Sequence, residues 1–345
     1  MRRHVLSIIL AGGLVLIGAG SASAAPAPTA GAKPVPGKKV CKIGDSVLNE
    51  LSGLVATDSG FIVINDSTFA ESGKRVFFLD DECRIADSTS YSGGGPRDTE
   101  DLALSPDGKT LWVADTGDNE RERNTVGLWS MPVDGSKRPK IHRFSYPEGD
   151  LHDAEALLIN GDGTPIIVTK EVGRPAGLYV PAGAIKTENT EGVPLKRAGE
   201  VTVPPSSTPT GIPFGRGSIT GGAVSPDRTR VALRTYSDAL EWDVSGGDVL
   251  AALAGKPRVT PLPNERQGEA IAYTATGKEL LTVTDMQGET DEDNWILRYT
   301  PAPKAAAVKA APKEATDASG GPSWFDQLSL DDITYLVGAV GLLGA

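Results

Sequence analysis

The chain has few of the residues on which most enzymatic chemistry depends. Its 345 residues include two cysteines, three histidines and three methionines. The two cysteines, Cys41 and Cys83, lie in no CxxC or Cys/His cluster, which argues against a thiolate metal site. No GxSxG elbow, Walker loop or HExxH occurs. The run Gly93-Gly94-Gly95-Pro96 reads as a connector, because no helical pattern follows it to cradle a phosphate. Positive charge is also short, with 34 basic residues against 45 acidic ones and a net charge of −11. Without a basic stripe, nucleic acid is excluded as a partner. No apolar run reaches the roughly 20 residues that a membrane-spanning helix needs.

Two shorter apolar runs mark the ends. Arg2 and Arg3 precede the apolar stretch Val5 to Ala19, and Ala22-Ser23-Ala24 supplies small residues for cleavage. Residues 1–24 therefore read as a secretory signal peptide. Residues 25–38 and 301–323 are rich in Pro, Ala and Lys and read as linkers. Between them, 39–300 is long enough for one domain with a sizeable core. Residues 324–345 end in ITYLVGAVGLLGA. This tail is either part of a membrane anchor, with Trp324, Phe325 and Tyr335 as interfacial aromatics, or a short helix packed on a surface. The sequence thus describes a secreted, extracellular protein, anchored at the membrane in the first case, and monomeric. In that compartment Cys41 and Cys83 are expected to form a disulfide.

The interior is organised by a repeat. Segments starting at Glu50, Glu100, Glu155, Thr220 and Glu269 are spaced by 50, 55, 65 and 49 residues. Each has a turn residue eight positions on (Asp58, Gly108, Gly163, Arg228, Gly277), then an apolar run such as FIVI or PIIVT. A polar residue closes the pattern at Asn65, Asp115, Lys170, Thr235 and Thr284. Strand-rich units of this length predict an all-β β-propeller. Four strands per unit give five blades; a sixth would have to lie in the interval 181–218. The fifth unit offers only three strands, and the orphan KVCKI near the N-terminus has the length to supply the fourth. That pairing would close the ring, with the disulfide pinning it to the first blade.

In such a blade the start of the first strand and the end of the second lie on one face. Glu50, Glu100, Glu155, Glu269, Asn65, Asp115, Lys170, Arg234 and Asp285 are therefore candidates for a ligand-binding channel rim. Carboxylates about 8 Å apart repel by roughly 2 kcal/mol at an effective dielectric of 20, so a ring of them calls for compensation. Three readings remain open: glutamates capping neighbouring blades through backbone amides, a Ca²⁺ site using Glu50, Glu100, Glu155, Glu269 and Asp118, or a cation-balanced organic ligand. The loops Asp115–Arg123 and Gln287–Asn294 are acidic and match no EF-hand. His152, three residues before Glu155, is a candidate for a general base.

The stretches SPDGKTLWVA from Ser105, SPDR from Ser225 and GEAIA from Gly268 resemble exported β-propeller proteins of high-GC Gram-positive bacteria, with the turn shared by WD-like and YVTN-type repeats. The strand-opening glutamates are similar to those of gluconolactonase-like and phytase-esterase-like propellers. The gluconolactonase-like resemblance implies a divalent cation in the channel, which would map onto Glu50, Glu100, Glu155, Glu269 and Asn65. Two functions stay in view: a propeller that binds a small molecule or protein through its acidic rim, and a metal-dependent hydrolase of lactones, esters or phosphoesters.

Overall fold

The computed structural model describes residues 34–68, 70–210, 215–284 and 294–304. The signal peptide, most of both linkers, the C-terminal segment, Asp285 and almost all of the acidic loop 287–294 lie outside the described residues. The chain divides into two units, Met1–Pro303 and Lys304–Ala345, and every described strand belongs to the first.

Among the described residues the strands fall into sets of four. β1 (Lys38–Ile43) stands apart at the N-terminus. The first set is β2 (Leu51–Thr57), β3 (Gly60–Asn65), β4 (Arg75–Leu79) and β5 (Ile85–Ser90). The second is β6 (Asp101–Leu104), β7 (Thr110–Asp115), β8 (Val126–Pro132) and β9 (Lys140–Ser145). The third is β10 (Ala154–Ile159), β11 (Pro165–Thr169), β12 (Ala176–Pro181) and β13 (Val193–Val201). The fourth is β14 (Ile219–Val224), β15 (Arg230–Thr235), β16 (Asp238–Asp243) and β17 (Arg258–Pro261), with helix α1 (Val249–Leu253) before its last strand. The fifth has β18 (Gly268–Tyr273), β19 (Leu280–Thr284) and β20 (Asn294–Tyr299). Each set is an antiparallel meander. The second and third are joined into one eight-stranded sheet by a short parallel pairing of β9 with β13.

Both faces of the inner strands are buried, which is why their sequences read as continuous apolar runs rather than alternating ones. In β10, Ala156 and Leu158 pack toward the fourth set, while Leu157 and Ile159 pack back on the second. Leu54 and Val55 of β2 divide in the same way between the fifth set and the second. A separate apolar cluster fills each interface between successive sets, including fifth with first. Sheets packed face to face in sequence order, with the last returning to the first, make a β-propeller.

The return depends on β1. It pairs antiparallel with β20 and completes the fifth sheet in the order β1-β20-β19-β18. This removes an open edge from the array. Cys41 on β1 is bonded to Cys83, in the turn between β4 and β5, with Cα atoms 5.7 Å apart. The disulfide thus ties the fifth sheet to the first, as the sequence reading anticipates. Cys83 itself has a φ of 62°, held by the tight turn in which its N–H donates to Asp80 O at 3.0 Å.

The cross-link spans 42 residues, and the chain-entropy relation gives it about 4 kcal/mol. A Cys41→Ser/Cys83→Ser double variant is expected to lose stability of that order in urea denaturation, and a loss below about 1 kcal/mol would show that the ring closes without it.

Candidate functional site: a carboxylate cluster at the channel mouth

The inner strands share a local irregularity that positions the site. The ladder between the first two strands of a set slips by one residue near its start, leaving a bulged residue: Ser52 in the first set, Glu155 in the third, Thr220 in the fourth and Glu269 in the fifth. In the second set Glu100 takes the same place, since its N–H donates to Ala114 O while Asp101 is the register partner of Ala114. Bulges re-aim side chains and occur often beside binding sites.

The chemistry of the bulged residue differs around the ring. Ser52 Oγ donates to Thr99 O at 2.8 Å, and Thr220 Oγ1 to Gly268 O at 2.7 Å. Each hydroxyl therefore bonds the residue just before the next set's bulge. An ionised carboxylate cannot donate such a bond. In the second set the corresponding carbonyl, Ala154 O, is served by Thr116 Oγ1 at 2.7 Å, leaving Glu100 available for another role.

Glu100 stands at the centre of two carboxylate groups. Oxygens of Glu100, Asp153 and Glu155 lie within 4.8 Å of one another, as do those of Asp66, Asp98 and Glu100. Glu100, Asp153 and Glu155 are all buried. Glu155 Oε1 pairs with Lys170 Nζ, but its Oε2 is buried with no hydrogen-bond partner. Asp153 Oδ1 accepts from Asp118 N at 2.9 Å. Gly117 lies so close that a Cβ there would collide with Glu100 Oε1 and the Asp98 carboxylate. The absence of a side chain at that position is what admits both carboxylates.

The local electrostatics are unfavourable for anions. Burial first, then Asp66, Glu155, Asp98 and Asp153, push the Glu100 carboxyl well above its usual range. Burial and Glu269 do the same to Glu155, against the pull of Lys170. Burial raises Asp98, and burial together with Asp98 and Glu269 raises Asp66 to about 8. These are the conditions under which like charges either take up protons or require a cation.

The remaining residues expected at the rim are placed as follows. Glu50 lies two residues ahead of the bulge at Ser52, in the position that Asp98 and Asp153 hold before Glu100 and Glu155. It is half-buried, and its carbonyl accepts from Asp66 N at 2.6 Å. Glu269 is buried on the bulge of the fifth set. Asn65 Nδ2 donates to Val47 O and Gly73 O, at 2.8 and 3.2 Å. Asp115 accepts from Arg97 N, Asp98 N and Arg123 Nη2 through Oδ1 and from Trp129 Nε1 through Oδ2. Both Asp118 oxygens cap the following turn, receiving Glu122 N and Arg123 N at 2.9 Å each. Asp115 and Asp118 therefore fold the loop that overlies the cluster. Arg234 is fully buried, donates to Ala270 O and Val283 O, and pairs with Glu265 at 2.6 Å.

His152 has both ring nitrogens engaged. Nδ1 lies 3.1 Å from Glu171 Oε1, and Nε2 lies 2.8 Å from both Asp150 Oδ1 and Tyr179 Oη. Deeper in the channel, Asp101 accepts from Leu102 N, Leu157 N and Gly222 N, sewing β6, β10 and β14 together. An apolar cavity of ≈ 230 Å³, lined by Leu54, Leu102, Ile159 and Tyr273 among others, lies toward the opposite ends of the inner strands and includes none of the clustered carboxylates.

No family model matches the chain, and no curated protein matches it. Solved structures that resemble it include the PQQ-bound form of aldose sugar dehydrogenase from Streptomyces coelicolor, at 14% identity and a TM-score of 0.39 over 76% of this chain and 96% of that one. Hydrazine synthase of Kuenenia stuttgartiensis matches at 12% identity and a TM-score of 0.38, covering 78% and 97% of the two chains. A chain of the nidogen/laminin complex matches at 12% identity and 0.37, covering 68% and 72%. The propeller assignment rests on the strand order and packing of this chain itself.

The raised carboxyls set a pH dependence. Asp66 holds its proton more tightly folded than unfolded, so its contribution favours the folded state at low pH and is lost as pH rises through about 8. In chelator, the melting temperature of an Asp66→Asn variant relative to the parent is therefore expected to shift in the variant's favour as pH goes from the ordinary carboxylate value of 3.8 up through about 8, because the amide has no proton to lose. A difference that stays constant, or that moves in the parent's favour, would contradict the electrostatics assigned to Asp66.

Proposed function

We propose that this chain is an exported, five-bladed propeller that holds a divalent cation of the Ca²⁺ type at one mouth of its channel and binds a ligand there. The observation that carries this reading is the buried, unpartnered Glu155 Oε2 within the triad Glu100, Asp153 and Glu155. An uncompensated buried carboxylate oxygen is costly, and a hard cation is the natural partner for three convergent carboxylates. Asp66 and Asp98 enlarge the oxygen set around Glu100. Export is supported by the leader-like residues 1–24 and by the disulfide, which belongs to an oxidising compartment. In this reading residues 324–345 hold the domain at the cell surface.

A binding role is preferred over hydrolysis because of His152. As the base of a hydrolase it would need a free nitrogen, yet Asp150, Tyr179 and Glu171 occupy both. The Ca²⁺ assignment and the propeller's ligand binding do not depend on that residue.

Chelator-treated protein titrated with Ca²⁺ should melt at least about 5 °C higher at a hundredfold excess over Kd. Glu100→Gln and Gly117→Ala should each remove the shift, whereas Glu82→Gln in the exposed Asp80-Asp81-Glu82 group should keep it. In chelator, Glu100→Gln should melt no lower than the parent, because it puts a neutral amide where burial and neighbouring carboxylates disfavour an ionised carboxyl. No Ca²⁺ shift, or a Glu100→Gln variant that is destabilised without metal, would identify Glu100 as a structural cap instead.

A further inference from the structure

Beside the carboxylate triad lies a cavity of ≈ 240 Å³ whose walls include Asn119, Arg121, Asp153, Lys170, Glu171 and Arg174. Its composition is unlike the cluster it adjoins, because three of these six residues are cations. Arg121 Nη2 lies 3.5 Å from Glu171 Oε2, and Arg174 Nη2 is hydrogen-bonded to the same oxygen. The other oxygen of Glu171 faces His152 Nδ1. One carboxylate thus serves two guanidinium groups, and among the described residues neither arginine has a second acidic partner. The two side chains are 45% and 63% exposed, so their remaining donors stay open to a ligand.

The loop carrying Arg121 is fixed rather than incidental. Arg121 sits at φ 55°, in the left-handed region that a residue with a side chain rarely adopts. Its N–H donates to Asp118 O at 2.8 Å, and Asp118 N in turn donates to Asp153 Oδ1. The same carboxylate therefore anchors the arginine loop, contributes to the triad and forms a wall of the cavity.

We infer that this cavity takes the phosphate group of a phosphate monoester, held by Arg121, Arg174 and Lys170 with one phosphate oxygen reaching the cation at the Glu100–Asp153–Glu155 triad. The inference rests on the cation reading given above and names the ligand class for that site. A hard cation of this type takes six to eight oxygens, so three carboxylates leave positions for a ligand. A phosphate dianion offers three oxygens, enough for two guanidinium forks and the metal together. A carboxylate, with two oxygens and one charge, leaves one of these partners unmet.

The test is isothermal titration of the full mature chain, first with Ca²⁺ alone and then, once loaded, with phenyl phosphate and with benzoate as the carboxylate comparator. Phenyl phosphate should bind saturably at one site and benzoate at least roughly tenfold more weakly. Arg121→Gln and Arg174→Gln should each weaken phenyl phosphate by roughly tenfold or more, while the variants still bind Ca²⁺ and still melt higher with Ca²⁺ than without it. Protein that binds Ca²⁺ but not phenyl phosphate would overturn the phosphate inference and leave the cation reading standing. Binding that is indifferent to both arginine substitutions, or equal for benzoate, would overturn it as well. Arginine-dependent phenyl phosphate binding in protein that takes no Ca²⁺ would remove the metal and keep the anion cavity.

Discussion

A hydroxyl can donate a hydrogen bond to a carbonyl, and an ionised carboxylate cannot. That difference, at a single bulged position repeated around the ring, separates scaffold from site. Where the position holds Ser52 or Thr220, the side chain fastens one set of strands to the next through a carbonyl. Where it holds Glu100 or Glu155, the carboxylates are left facing each other across the junction of the second and third sets. The bulge supplies the aim, and the side-chain type decides whether the result is a strut or a charge in need of a partner. The cluster depends on the rest of the architecture because its members come from different sets, and only packing of those sets brings them together.

That packing is secured by features far from the site. Each inter-sheet layer is apolar and continuous, and the last layer is closed by β1 and the disulfide between Cys41 and Cys83. Asp101 adds a polar tie among three inner strands. The fully buried Arg234–Glu265 pair spans the seam between the fourth and fifth sets. Gly268 makes room for it, since a Cβ there would collide with the guanidinium. A rigid frame of this kind can hold unfavourable charges close together without relaxing them apart.

Much of the frame is legible in the sequence, because repeat spacing and apolar runs report directly on strands buried on both faces. The role of KVCKI as the closing strand follows from counting the strands of the fifth unit. The site is less legible. A fixed offset from the turn places Glu50 with Glu100 and Glu155, but the first set has a tighter hairpin, with Thr57 pairing Gly60, and this moves Ser52 into the equivalent position. Asp98 and Asp153 escape a reading based on strand starts, yet both belong to an Asp-x-Glu pair, Asp98-Thr99-Glu100 and Asp153-Ala154-Glu155, which is a signal in the sequence itself. Asp66 carries no such mark; only the fold brings it to Glu100. Asp115 and Asp118 look like ligands by composition, but their oxygens are taken by backbone N–H groups and by Arg123 and Trp129.

The central claim is that the charge gathered on Glu100, Asp153 and Glu155 is there to hold a metal ion. Crystals grown with Ca²⁺, with data collected at a wavelength where calcium scatters anomalously, test it most directly. The account predicts an anomalous peak about 2.3–2.6 Å from oxygens of all three carboxylates. A map with no peak there, and Glu155 Oε2 hydrogen-bonded to ordered water or to a neighbouring protonated carboxyl, would contradict it.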